Sequence, residues 1–163
     1  MTILASADGR RRAALAAARI FMGLLFLSVW AYNLQHHLYS TPGYAAFVGI
    51  FARDTSTPLV ASVLNHVVIP NAAFFSKLQM VTELARIGVP LTIGLFTPVS
   101  GLIGVSFAIP LGLAANGKPG EWSGTYLMIV LLLVMVALTQ AGRTWGIDAW
   151  LVRRRPRPRL PVY

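Results

Sequence analysis

Residues 78–96, LQMVTELARIGVPLTIGLF, decide the fold. The stretch is long and apolar enough to cross a bilayer, for which about 20 residues suffice. Yet it carries Gln79, Glu83 and Arg86. Ionisable groups in hydrocarbon are costly, and those that persist pair with one another or mark a functional site. The spacing of four and then three residues puts all three polar groups on one face of an α-helix. A Glu83–Arg86 ion pair is the expected way of lowering the cost of both.

The surrounding chain supports a membrane setting. Of its 163 residues, 56% are hydrophobic and 12% charged, and the mean hydropathy is +0.65. A soluble domain carries about twice that charge fraction. No Asp, Glu, Lys or Arg occurs from Ile20 to Ala52, from Ile87 to Gly117, or from Trp122 to Gly142. The run from Ile87 to Gly117 is too long for one helix in a core of about 30 Å and too short for two. Thr97-Pro98 followed by Ser100-Gly101 marks a turn within it. The run therefore divides, and the helix before the turn must begin upstream, which draws Glu83 and Arg86 into the span.

Four spans follow: Arg19 to Leu38, Leu78 to Phe96, Val99 to Ala115 and Gly124 to Ala141. The net charge of +9 is concentrated at the two ends. Arg10, Arg11, Arg12 and Arg19 precede the first span. Arg143, Arg153, Arg154, Arg155, Arg157 and Arg159 follow the last. Basic flanks mark the cytoplasmic side, so both termini are expected there and the span count is even. The expected fold is thus an all-α integral membrane protein, a four-transmembrane-helix bundle with both termini cytoplasmic. Residues 1–18 form a basic N-terminal segment, 19–151 the membrane domain, and 152–163 a basic, Pro-rich tail. The tail reads as a disordered arm on anionic lipid rather than a nucleic-acid-binding element. Between the first two spans lies an outward segment, with Pro58 to Phe75 lying in the interface or capping the bundle.

Ser100, Gly104, Ala108 and Gly112 recur every four residues. Such small residues let a neighbouring helix approach closely. Pro90 and Pro110 are expected to bend their helices. Near the outer end of the first span, Trp30, Asn33 and His37 share a face, with Tyr32 and His36 beside it. Turned toward Gln79, Glu83 and Arg86, they would make a polar pocket open to the outside. The chain has no cysteine, which excludes disulfides and thiolate metal sites. The three histidines lack metal-ligand spacing, so no metal site is expected. No nucleotide-binding, nucleophile-elbow or zinc-protease motif occurs.

The segment VTELARIGVPLTIGLFTPVSGLIG resembles the Glu-containing second helix of the DoxX/DoxD family of small bacterial membrane proteins. Its matching positions are Glu83, Gly88, Leu91, Gly94, Leu95 and Thr97. QAGRTWGIDAWL is similar to the family's closing motif, at Gly142, Arg143, Gly146 and Asp148. VVIPNAAFFSKLQ resembles the segment that precedes the Glu helix in the DoxD-like branch, and RIFMGLLFLSVWAYN the family's first helix. Where the family usually has Gly or Lys near the outer end of that helix, this chain has Trp30 and Asn33.

The resemblance implies a multi-pass protein of the bacterial plasma membrane. It also implies a DoxD-type subunit of thiosulfate:quinone oxidoreductase, passing electrons from thiosulfate or another sulfur compound to quinone. No covalently bound cofactor is expected. Quinone is the expected ligand, held by Arg86 and Glu83, with Gln79 and His37 leading protons outward and Trp30 or Tyr32 stacking on the ring. Electrons would have to come through a partner subunit, and self-association is left open. The competing class is a non-catalytic membrane scaffold that assembles a redox or oxidative-stress complex, its Glu83 and Arg86 holding the bundle together.

Overall fold

The computed structural model describes residues 6–154. Most of the basic tail read from the sequence, with Arg155, Arg157 and Arg159, lies outside the described residues. Every regular element among the described residues is helical.

Helix α1 runs Ala7–Gln35 and starts well before Arg19. Ser6 caps it, its hydroxyl accepting from the Gly9 N–H at 3.0 Å, and Asp8 sits in the first turn. The alanine-rich stretch that follows has strong helix propensity. The first helix therefore takes in Arg10, Arg11, Arg12 and Arg19, which the sequence reading had placed ahead of the span or at its edge.

Helix α2 spans Thr41–Asp54 and is capped by Ser40, which accepts from the Gly43 N–H at 3.2 Å. Helix α3, Pro58–Val63, continues as a π-helical turn over Leu64–Val68. Helix α4, Ala72–Val81, continues as a π-helical segment over Thr82–Gly88 and then as α5, Val89–Ile93. Both widened segments end two residues before a proline, Pro70 and Pro90. Proline has no N–H for the carbonyl four residues back, and its ring crowds that carbonyl. A widened turn just upstream relieves both defects.

Gly94, at φ +70°, ends α5, and the Leu95 N–H closes back on the Pro90 carbonyl at 2.9 Å. Helix α6, Thr97–Ala115, starts with Pro98 in its first turn and keeps Pro110 in its interior. Helix α7 runs Gly124–Leu138, a 3-10 turn covers Ala141–Arg143, and α8 runs Ile147–Arg154.

Two helices, α1 and α6, are long and apolar enough to cross a membrane. The pair Pro58–Val68 and Ala72–Ile93, bent by 104°, makes a third if it is one span. Helix α7 is apolar but has 15 residues, about 22 Å at 1.5 Å per residue.

The core lies where these helices meet. Met22 and Phe26 of α1, Ile87 and Leu91 of the bent helix, Ala108 of α6, and Leu133 and Val136 of α7 form one buried cluster. Helices α6 and α7 make the most extensive pairing. Ser100, Gly104 and Ala108 are buried on α6, and a Cβ on Gly104 would meet Leu133 at 2.9 Å. On the other side of α1, a Cβ on Gly23 would lie 2.5 Å from the Thr92 backbone nitrogen. Helix α2 packs across the far end of the bundle, with Tyr44 and Val48 against Ala72 and Phe51 against Ala114 and Ala115.

Candidate functional site

Glu83 is buried, with 1% of its surface exposed. Its carboxyl collects three neutral donors. Gln79, one turn earlier on α4, donates through Nε2 to Oε1 at 2.8 Å. Asn33, near the end of α1, donates through Nδ2 to Oε2 at 3.1 Å. The hydroxyl of Tyr39, in the turn after α1, also donates to Oε2. Asn33 Nδ2 approaches the Tyr39 oxygen as well, at 3.4 Å. An ionised carboxylate accepts hydrogen bonds and donates none, so these donors match it without a cation.

The arrangement can also follow a proton. A protonated carboxyl has one O–H to donate, so one neighbour must then accept. A hydroxyl can do both, and Tyr39 is the hydroxyl in the set. Burial, and then the hydrogen bond to Glu83, push the Tyr39 phenol well above its ordinary value, so it stays a neutral O–H.

Glu83, Asn33 and Gln79 open onto a cavity of about 450 Å³. Phe26, Phe107, Trp122 and Tyr126 are among its walls. A mainly apolar chamber with a few convergent polar groups is the usual form of a small-molecule site.

Arg86 does not pair with Glu83. The carboxylates of Asp54 and Glu121 pair instead with Arg53 and Lys118, the latter pair at the rim of the Glu83 cavity, which Glu121 borders. The widened segment over Thr82–Gly88 is the physical reason. The three-residue offset that aligns Glu83 and Arg86 on an α-helix no longer aligns them on a wider turn. Arg86 instead lines a second groove, of about 580 Å³, between α2, the bent helix and α6. Gln79, Phe47, Phe51, Phe107 and Leu111 border both spaces.

The first helix is likewise divided. Asn33 reaches the carboxyl, but His37 does not. His37 is exposed, at φ +56°, in the turn after α1, where its carbonyl accepts from the Ser40 N–H and hydroxyl. Tyr39 takes the place that the sequence reading gave to His37. Tyr32 stacks on His36 at 3.9 Å on the exposed side of α1. Trp30 is half-buried, its Nε1 has no hydrogen-bond partner, and it does not border the Glu83 cavity. None of these rings is placed to stack on a ligand held at Glu83.

The resemblance residues Gly94, Thr97, Gly142, Gly146 and Asp148 converge at the opposite end, around Arg19. This side chain is fully buried. Its Nη2 donates to the Trp145 carbonyl at 3.1 Å, while Nε and Nη1 have no partner. A Cβ on Gly94 would lie 1.6 Å from Nη1, and one on Gly146 would lie 2.4 Å from it. Asp148 accepts from the N–H groups of Phe96 at 2.8 Å and Thr97 at 3.0 Å, capping α6 from α8. Its own N–H donates to the Gly94 carbonyl at 2.8 Å. Gly88 belongs to the Glu83 side, where a Cβ would lie 2.7 Å from the Glu83 carbonyl oxygen. Arg143 is exposed, as the last residue of the 3-10 turn. Sequence reasoning passed over Arg19 and Tyr39. An arginine followed by a long charge-free helix reads as a flank, and a tyrosine beyond a span reads as interfacial.

Set against known proteins, residues 15–158 match the model of the family described as TQO small subunit DoxD. No curated protein and no solved structure matches the chain.

Proposed function

The chain belongs to the DoxD family, and from that premise we propose that it is the membrane subunit of a quinone-linked oxidoreductase whose quinone head occupies the Glu83 cavity. The observation that carries this reading is the buried Glu83 carboxyl, ringed by three neutral donors and facing a largely apolar cavity of about 450 Å³. Aromatic walls suit a flat ring, and a protonated Glu83 suits its carbonyl oxygen. Reducing a quinone to a quinol consumes two electrons and two protons. Glu83 supplies a proton at the ring oxygen and recovers one through Tyr39. The electrons come from a partner subunit, with thiosulfate or another sulfur compound as their source. The described residues hold no cluster of His, Asp or Glu fit for a metal, and the proposed role needs none in this chain.

The same proposal reads the helices as four passes, α1, the bent helix α4–α5, α6 and α7, in the bacterial plasma membrane with both termini inside. Residues 19–151 then form the membrane domain.

A second reading has its own support. The donors to Glu83 come from α1, the turn after it and α4, so the carboxyl ties three segments together. In a scaffold that tie alone would be its purpose. Quinone binding by the purified protein in nanodiscs separates the two. Saturable binding by wild type that Glu83→Gln loses, with the variant's helical circular dichroism and melting intact, supports the quinone site. A well-folded wild type that binds no quinone sinks it, and lower melting of Glu83→Gln would then favour the scaffold.

A further inference from the structure

Arg86 sits well inside the bent helix without an anion. The helix runs on from Arg86 to Ile93, about 10 Å at 1.5 Å per residue, and begins farther away, at Ala72. A cation at such a place in an apolar helix ordinarily pairs with an acid or with backbone carbonyls. No ion pair or hydrogen bond among the described residues engages Arg86. It is exposed, and it lines the groove of about 580 Å³ between α2, the bent helix and α6. Among the described residues lining that groove none is acidic, and Arg86 alone is charged.

The rest of the groove suits hydrocarbon. Phe75, Leu64, Val68 and Ile103 are among its walls, and Thr82 and Ser106 add hydroxyls. The lining residues that are exposed are Leu78 and Arg86 on the bent helix and Ser106 and Pro110 on α6. The mouth therefore lies between these two helices, on the side of the bundle rather than at its end. Arg86 stands at that mouth.

Size and charge select the occupant. A helix with its side chains is about 10–12 Å across, whereas the groove has the volume of a small-molecule pocket, about 300–1,000 Å³. One guanidinium matches one carboxylate, which it can grip through two N–H groups at once. A phospholipid's phosphate keeps its charge and stays at the membrane surface. A carboxylic acid is neutral when protonated, so it can reach a lateral mouth through hydrocarbon. Beside Arg86 the ionised form is then favoured, because a nearby opposite charge stabilises it. A small anion would use Arg86 and leave the apolar walls bare.

We propose that this groove binds one long-chain carboxylic acid, its carboxylate on Arg86 and its chain against Phe75, Leu64 and Val68. The site goes beyond the quinone reading. Arg86 does not border the Glu83 cavity, and either site can fail while the other stands.

Native mass spectrometry of the full chain in non-ionic detergent tests it, with palmitic acid and hexadecanol, equal in chain length, offered together. The expected result is a one-to-one palmitate adduct, favoured over hexadecanol by about tenfold, the effect of one charge-assisted contact. Arg86→Gln should abolish the preference, and Arg86→Lys should keep most of it. Lys77→Gln removes the same charge from the same helix outside the groove and should leave the preference intact. Val68→Trp fills the chain's place and should lower retention of both compounds. Equal retention by wild type would overturn the proposal, as would a preference that survives in Arg86→Gln. Equal loss in Lys77→Gln would overturn it too, showing diffuse attraction without a site. If Arg86→Gln does not fold, undiminished palmitate retention by Val68→Trp is the overturning result. Displacement by an equal concentration of acetate would show that the chain contributes nothing. Displacement by a long-tailed quinone but not by a tail-less one would give the groove to the quinone's tail. Either result would overturn the acid as occupant.

Discussion

Among the described residues two charged side chains are buried, and they are housed in opposite ways. Glu83 has a donor for each demand of its carboxyl and an open chamber beside it. Arg19 has one hydrogen bond, two nitrogens without partners, and glycine backbone pressed against its guanidinium. A charge with satisfied partners and adjacent space can exchange a proton or meet a ligand. A charge enclosed by packing can only hold structure in place. The difference assigns chemistry to the Glu83 end and architecture to the Arg19 end. The Arg19 end is also where most of the glycines of the family resemblance collect.

The sharpest way to break that contrast is to fill the space around Arg19. Gly94→Ala sets a Cβ on a residue at φ +70° and 1.6 Å from Nη1. The left-handed backbone alone costs about 1–2 kcal/mol for a residue with a Cβ, and the overlap adds to it. The expected outcome is loss of the folded, monodisperse protein on size exclusion. Normal yield and melting in Gly94→Ala would show that Arg19 is not clasped there.

A smaller effect is expected at Asp148. Its carboxylate caps α6 through two N–H groups and is the negative charge acting on Arg19. Asp148→Ala should lower stability by about 1–2 kcal/mol for the lost cap, and more if the charge on Arg19 counts. Asn still caps but carries no charge. Melting of Asp148→Asn should therefore fall between wild type and Asp148→Ala. If Asn matches wild type, Arg19 does not depend on the charge of Asp148.

How far each end was legible follows from the same physics. An acid in a long apolar stretch is conspicuous, and Gln79 four residues before it could be placed beside it from helix period alone. Asn33 was found by the same face argument on α1. Arg86 was misjudged because the period itself changes across Thr82–Gly88. Pro90 hints at a disturbance, but sequence does not say whether a proline bends a helix or widens it. Tyr39 was missed because periodicity stops at the helix end, and a turn brings in its residues by tertiary geometry. Arg19 was missed because positive flanks are counted as topology signals. The signal available was a set of glycines at the far end of the chain, Gly142 and Gly146. Their need for close approach pointed to something bulky without naming it.

The mildest test bears on what the Glu83 end is for. Tyr39→Phe keeps the ring and removes the one hydroxyl that can reverse its hydrogen bond to Glu83. As a lost donor it should cost about 1–2 kcal/mol, with Asn33 and Gln79 still holding the carboxyl. Asn33→Leu should cost a similar amount, since it too removes one donor. The two variants should part in function. If protons reach Glu83 through Tyr39, quinone-linked turnover in the assembled complex falls in Tyr39→Phe while quinone affinity stays near wild type. Asn33→Leu removes a group that borders the cavity, so there affinity should weaken. Equal stability losses with no such split would leave Glu83 a helix tie like Arg19, and the contrast between the two ends would be one of packing density alone.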